Sequence, residues 1–267
     1  MIDVTSADNP RFRALLKLAE SARERRQTGL ALIDGPHLVR CFHERFGPPE
    51  QLVISRGAGE QPEVAALLRQ LAAVSPLELG PGLFRRLSPV TTPTGILAVV
   101  RIARPPAAPA PDRPALLLDR LQDPGNLGTV LRSAAAAGMG QVLLSPGTAD
   151  AWSPKVLRAA MGAHCHLAIH EYVDLAAFAA GFTGAVHALD ARGPVALYDA
   201  DLSGSVALLL GNEGVGLSPD LLALAAERLA IPMPGGTESL NVAAAAAICL
   251  YERVRQQAQR ESGSALG

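Results

Sequence analysis

Short apolar blocks along this chain alternate with stretches whose apolar positions recur every three or four residues. That alternation predicts strands interleaved with helices. In the N-terminal part, Asn9-Pro10 joins a helix cap to a proline at the first helical position, and Gly29 ends that helix. A strand over 30–34, a helix over 37–46, a strand over 51–55 and a helix over 63–73 follow. A short apolar segment near Leu77, a helix around 83–87 and a strand over 95–102 complete a small α/β sandwich. In the C-terminal part, strands fit 115–119, 141–144, 166–170, 185–190, 206–210 and 228–232. Helices fit 127–137, 154–163, 175–180, 219–226 and 241–259. This pattern implies a mostly parallel sheet covered on both faces, with ligands held at the carboxyl ends of its strands.

The boundary between the parts is Arg104-Pro-Pro-Ala-Ala-Pro-Ala-Pro-Asp-Arg-Pro114, whose five prolines permit neither helix nor central strand. It divides the chain into a domain over 1–104, a linker over 105–114 and a larger domain over 115–267.

Composition excludes several classes. At 267 residues, 49% hydrophobic and 18% charged, the chain fills a packed core and does not read as disordered. No apolar run is long enough to cross a bilayer, and the N-terminus lacks the features of a signal peptide. Cys41, Cys165 and Cys249 lie far apart without a CxxC pattern, which argues for a reducing compartment and against disulfides or structural zinc. The expectation is a cytoplasmic protein with no membrane partner and no metal. The net charge of −1 hides an asymmetry: residues 1–110 carry 14 Lys and Arg against 10 Asp and Glu, and the remainder 10 against 15. The excess gathers in Arg11, Arg13, Lys17, Arg23, Arg25 and Arg26. On one helix these would make a basic face able to meet phosphates, although a solvated helix surface accounts for the same pattern.

Three segments carry candidate chemistry. In Ile231-Pro-Met-Pro-Gly-Gly-Thr-Glu-Ser-Leu-Asn241 a strand stops at Pro232, and a helix opens on Ser239 and Asn241, residue types suited to capping. The loop between leaves backbone groups free for a polar ligand. Leu208-Leu-Leu-Gly-Asn-Glu-Gly-Val-Gly-Leu217 repeats the design, so the two loops suggest the walls of one pocket. In the third segment a strand ends at Asp119, Asp123-Pro-Gly125 reverses the chain and Asn126 caps a helix. Arg132 follows six positions on, among small and aliphatic residues. It either pairs with a neighbouring carboxylate or holds its planar fork for an incoming phosphate.

Together, Asn126-x5-Arg132-x5-Gly138, Leu210-Gly-x-Glu213-x-x-Gly216 and Ile231-Pro-Met-x-Gly-x-x-x-Ser239-Leu-Asn241-Val-Ala-x-Ala resemble the three ordered motifs of the SpoU (TrmH-like) RNA ribose methyltransferases of the SPOUT superfamily. Thr5-Ser-x-x-Asn-Pro10 with Asp34-Gly-Pro-His-Leu-Val39 resembles the substrate-binding domain that often precedes them. The resemblance implies an L30e-like α/β RNA-binding domain followed by a parallel-sheet domain tied in a deep trefoil knot, a rare exception to the rule against knots. It also implies S-adenosyl-L-methionine as cofactor, a homodimer with sites built across the interface, and methylation of a ribose 2′-hydroxyl in structured RNA. Ribosomal RNA is the favoured substrate and transfer RNA the alternative.

On that resemblance the residues take roles. Arg132 and Asn126 would be catalytic, Arg132 holding the target phosphate and stabilising charge, since an arginine stays protonated and makes a poor base. Glu213 would orient Arg132 or its neighbours, a surface carboxylate at a helix start being the plainer reading. Ser239 and Asn241 would order the loop or the substrate, or simply cap. Leu210, Gly211, Ile231, Met233, Ser239 and Leu240 would line the cofactor slot, and Arg11, Arg13, Lys17, Arg25 and Arg26 would meet RNA.

Other signals are weaker. His164-Cys165-His166 alternates along an expected strand and gathers no further metal ligands. Lys155 and Arg158 suit a phosphate contact or a solvated face equally. The glycine spacing after Leu210 is not a dinucleotide fingerprint, which argues against a nicotinamide enzyme. A non-catalytic RNA-binding or assembly protein that kept the fold stays open as an alternative.

Overall fold

A computed structural model describes residues 2–264, which form two units. The first comprises the chain up to Ala103 together with Asp150–Cys165; the second comprises Arg104–Ala149 and the chain from His166 onward.

The first unit carries β1 (Ile2–Val4), α1 (Pro10–Glu20), α2 (Ala22–Thr28), β2 (Leu30–Asp34), α3 (Pro36–Phe46), β3 (Gln51–Ser55), α4 (Pro62–Gln70), β4 (Leu77–Leu79), α5 (Pro81–Leu87) and β5 (Ile96–Arg101). Its mixed sheet runs β1-β4-β3-β5-β2; β5 is antiparallel to both its neighbours and the other pairs are parallel. One face buries Phe12, Leu15, Leu32, Val53, Leu79, Phe84 and Leu97. The single helix expected up to Gly29 is two. Ser21 leaves helical geometry, and its hydroxyl accepts from Glu24 N–H at 3.2 Å, capping α2 as part of a Ser-x-x-Glu box.

That break bears on the basic face. Arg25 is only 4% exposed: its guanidinium donates to Asp150 at 2.7 Å and to the carbonyls of Leu18 and Ala19. Arg25 is therefore a structural cation inside the first unit rather than a surface contact for RNA. Arg13 pairs with Asp8 across the surface, and Arg11, Lys17 and Arg26 stay exposed.

Asp150–Cys165 contains α7 (Pro154–Ala160), three residues shorter than the helix expected over 154–163, and a short 3₁₀ turn over Ala163–Cys165. Trp152 packs edge-on against Phe42 and against the His164 ring. His164 is buried with Nε2 2.7 Å from the Ala151 carbonyl, and burial holds its pKa down to about 4. Cysteines distant in sequence meet here. The Cys41 thiol lies 2.7 Å from that of Cys165, both free, and burial raises the Cys165 pKa well above its ordinary value. Among the described residues no group of three His, Cys, Asp or Glu side chains is placed to hold a metal ion.

In the second unit, β6 (Ala115–Leu118), α6 (Pro124–Ala136), β7 (Gln141–Leu144), β8 (Ala168–His170), α8 (Leu175–Gly181), β9 (Ala185–Leu189), β10 (Val195–Ala196), β11 (Val206–Leu210), α9 (Pro219–Ala223), β12 (Glu227–Ala230) and α10 (Val242–Ser264) follow in order. The sheet runs β10-β12-β9-β11-β6-β7-β8 and every pair is parallel. Its central strands β6 and β11 are buried along their whole length, as a parallel sheet covered on both sides requires. From β6 the chain first moves outward through β7 and β8, whereas β9 and β12 lie on the far side of β11. The crevice between β6 and β11 is thus a topological switch point, where open α/β sheets bind ligands.

Candidate active site

Register makes the site. Leu118 pairs with Leu210, so β6 and β11 end level, and Asp119 N–H donates to the Leu210 carbonyl at 2.8 Å. The loops that leave these two strands therefore start side by side. After β6, Asp119 is buried and accepts from the Ser145 hydroxyl at 2.9 Å, and that same hydroxyl accepts from Arg120 N–H at 2.9 Å. After β11, Asn212 and Gly216 exchange backbone hydrogen bonds at 3.2 and 2.9 Å, closing a tight loop. The Asn212 side chain stiffens it, accepting from Gly214 and Val215 N–H and donating to the Arg120 carbonyl at 2.8 Å. Gly211 is obligatory: a Cβ there would stand 2.3 Å from Gly216 C and from Leu217 N, both backbone atoms.

Asn126 does not cap α6. Asp123 does, its carboxylate accepting from Asn126 N–H at 2.7 Å, and Pro124 takes the first helical position. Moving the cap upstream frees the Asn126 side chain, whose amide donates to Glu213 at 3.3 Å while its oxygen accepts from the Asn241 amide at 2.9 Å. Asn241 is itself the cap of α10, accepting from Ala243 N–H at 2.8 Å and Ala244 N–H at 3.4 Å. The Glu213 carboxylate also accepts from Gln122 and Asp123 N–H, each at 3.2 Å. Burial works to raise the Glu213 pKa. The hydrogen bonds it accepts, from backbone N–H groups and the Asn126 amide, outweigh that and hold it below the ordinary value. One chain of contacts, Glu213–Asn126–Asn241, thereby ties together the loops after β6, β11 and β12.

A cavity of about 1010 Å³ opens beside this chain at the carboxyl ends of β9, β11 and β12. Its lining includes Asn126, Leu210, Gly211, Glu213, Ile231, Met233, Ser239, Leu240 and Asn241. Ser239 is exposed on the rim, and its helix cap falls to Asn241. Arg132 stands apart. It is exposed on α6, is not part of the lining and makes no hydrogen bond or ion pair among the described residues. Helical geometry explains the separation, because six residues carry it about 9 Å along the axis and about 120° around it from Asn126. Glu213 consequently orients Asn126 and the start of α6, not Arg132.

Asn212, Asp190, Arg192 and Arg228 also belong to this cavity and were missed from the sequence. Asn212 had a signal, lying between Gly211 and Glu213 in a turn where Asn side chains bond the backbone two residues on. The others had none, since only strand order brings the turn after β9, with Asp190 and Arg192, beside Arg228 of β12.

Residues 113–251 match the SpoU rRNA methylase family, and residues 9–98 match the MRM3-like substrate-binding domain. The chain belongs to the SpoU rRNA methylase family. It is 35% identical to a Bacillus subtilis 23S rRNA (guanosine(2553)-2′-O)-methyltransferase, over 94% of this chain and 98% of that one. Among solved structures, an RNA 2′-O ribose methyltransferase superposes with a TM-score of 0.83 at 31% identity, covering 96% of this chain and 99% of the other. The SpoU methyltransferase AviRb from Streptomyces viridochromogenes, solved with the cofactor AdoMet, gives 0.80 at 28% identity over 94% and 100%. This SpoU member is an S-adenosyl-L-methionine-dependent 2′-O-ribose methyltransferase of ribosomal RNA. The cavity suits that cofactor: glycine at 211 lets two backbone segments approach, Leu210, Ile231, Met233 and Leu240 supply apolar wall, and Asp190, Asn212 and Glu238 supply polar groups.

Proposed function

We propose that this enzyme methylates a ribose of 23S ribosomal RNA, as a homodimer in which Arg132 of one subunit completes the cavity of the other. When bound, S-adenosyl-L-methionine supplies an electrophilic methyl group for in-line displacement. The chain's own work is positioning and charge. Leu210, Gly211, Ile231, Met233 and Leu240 would hold the cofactor. Asn126, kept in place by Glu213 and Asn241, would offer its amide to the ribose. Arg132 would grip the target phosphate bidentately and stabilise the oxygen as its proton leaves. Ser239 would order the rim. The observation that carries the reading is the Glu213–Asn126–Asn241 chain at the cavity mouth, together with an Arg132 guanidinium further along the same helix that is exposed and without a hydrogen bond or ion pair among the described residues.

Two features favour the shared site. The wall over 232–240 is exposed apart from the half-buried Met233, with Leu240 at 37% and Val215 at 76% on the facing loop, so the cavity is open on one side. Arg132 also projects from a face of α6 that Asn126 does not share. A trefoil-knotted path through the loop after β12 and a cytoplasmic location are part of the same reading. No helix among the described residues is long and apolar enough to cross a membrane.

The test is complementation between subunits. Arg132→Ala should abolish methyl transfer to 23S rRNA while leaving cofactor affinity unchanged by calorimetry. Mixing it with Glu213→Ala should restore about a quarter of parental activity, because half the dimers are mixed and each has one intact site. No recovery on mixing would overturn the shared site, and ribose-linked label in transfer RNA alone would overturn the substrate.

A further inference from the structure

The first unit has a cleft of its own, about 480 Å³, formed where β3 ends, α5 packs and the loop before β5 returns. Arg56, Gln61, Arg85, Thr91 and Thr92 are among its lining. Its floor is built tightly: Gly95 has φ +89°, and a Cβ there would lie 2.5 Å from that of Ala58. The lining is mainly polar, and its largest apolar side chain, Phe84, is fully buried beneath it.

Charge in the cleft is one-sided. Arg56 is already matched, donating to Asp3 at 2.7 and 2.6 Å and to Glu78 at 3.4 Å. Arg85 is exposed and has no hydrogen bond or ion pair among the described residues. No Asp or Glu occurs anywhere between Glu78 and Asp112, a stretch that includes Arg85, Arg86 and both threonines. Positive charge also continues beyond the cleft. α5 packs on α1, with the Arg86 guanidinium 5.1 Å from the Phe12 ring, and α1 carries Arg11 and Lys17 on its exposed side.

We infer that this cleft binds one segment of the ribosomal RNA backbone away from the methylated nucleotide, with Arg85 on a phosphate and Thr91 and Thr92 donating to phosphate or sugar oxygens. The inference rests on ribosomal RNA being the substrate. A forked, unpaired guanidinium beside hydroxyl donors is the chemistry of a phosphodiester contact. With no exposed aromatic in the lining, bases have nothing to stack on, so the contact reads backbone rather than sequence. It would anchor the substrate while the second unit selects the ribose.

Filter binding of 23S rRNA across a salt series tests this, using the full-length protein. Arg85→Ala is expected to weaken binding about tenfold, the low end for a charge-assisted hydrogen bond, and to reduce the slope of log affinity against log salt by roughly 0.7–0.9, one phosphate's worth. Arg85→Lys should recover the slope but not all the affinity. Cofactor affinity and turnover at saturating RNA should match the parent. Arg69→Ala, an exposed arginine of the same unit outside the cleft, is the comparison. An unchanged slope in Arg85→Ala, or an equal loss in Arg69→Ala, would overturn the cleft. If the parent itself fails to methylate ribose, the functional reading falls, while the binding comparison still decides whether the cleft holds RNA.

Discussion

Alanine scanning of the glycine loop after β11 separates close approach from mere flexibility. At Gly211 an added methyl would meet two backbone atoms at 2.3 Å and the Gly216 oxygen at 2.6 Å, distances that Cβ contacts do not reach. No side chain can swing aside, and the obstructing strand is held by the Asn212–Gly216 pair of hydrogen bonds. Overpacking of this kind costs about 1–3 kcal/mol, and rigid backbone on both sides puts Gly211→Ala near the upper figure. For a unit of this size each kcal/mol lowers Tm by about 2–4 °C, so a fall of about 6–12 °C is expected. Cofactor affinity should drop at least tenfold, because the loop opens to relieve the clash. Gly216→Ala should cost only about 1 kcal/mol, since its φ of +71° is unfavourable but the space is free. Gly214→Ala should be nearly silent, its Cβ meeting only the Asn212 side-chain oxygen at 3.5 Å. Calorimetric titration with cofactor and thermal melts of the three variants give the order. If Gly211→Ala matched Gly214→Ala in both, the argument from backbone proximity would be wrong.

Glu213→Ala should lower turnover 10- to 100-fold in single-turnover assays with labelled cofactor, while moving Tm little, because the carboxylate is exposed and its loss leaves Asn126 unguided rather than a core unpacked. His164 makes the first unit acid-sensitive. Its folded pKa of about 4 lies below the unfolded value near 6.5, so its neutral, buried form contributes fully above pH 6.5 and that stability is lost as pH falls toward 4. The loss is on the order of 3 kcal/mol. Urea midpoints at pH 7 and 4.5 should therefore diverge more in the parent than in His164→Gln, and equal divergence would exclude His164 as the source.

Much of the fold could be read from the chain because its signals were local. The strands at 30–34, 51–55, 141–144 and 206–210 coincide with those observed, each built on an uninterrupted run of at least three apolar residues. β1 and β10 escaped, being three and two residues long and defined only by pairing with a neighbour. The break at Ser21 has a local signal in its Ser-x-x-Glu box, set within a run of helix formers that continues on both sides. The cavity lining was legible for the same reason as the strands, since the glycine and proline loops sit at their ends. What failed was tertiary. Arg25 looked like surface charge until Asp150, 125 positions away, was found beside it. Asn126 looked like a cap until Asp123 took that task. The position of Arg132 follows from helix rotation, which spacing along a motif does not convey.

The excursion at Asp150–Cys165 has a bearing on how this enzyme can be dissected. Severing the polypeptide in its proline-rich stretch looks natural, yet a fragment ending at Ala103 would leave behind Asp150, the carboxylate that pairs with the sequestered guanidinium of Arg25, along with Trp152 and α7. Such a piece would harbour an orphaned cation in its interior, a fault worth several kcal/mol. Autonomy would return only if the excised loop were grafted back on, so the border between the two units is drawn in space and not at any one peptide bond.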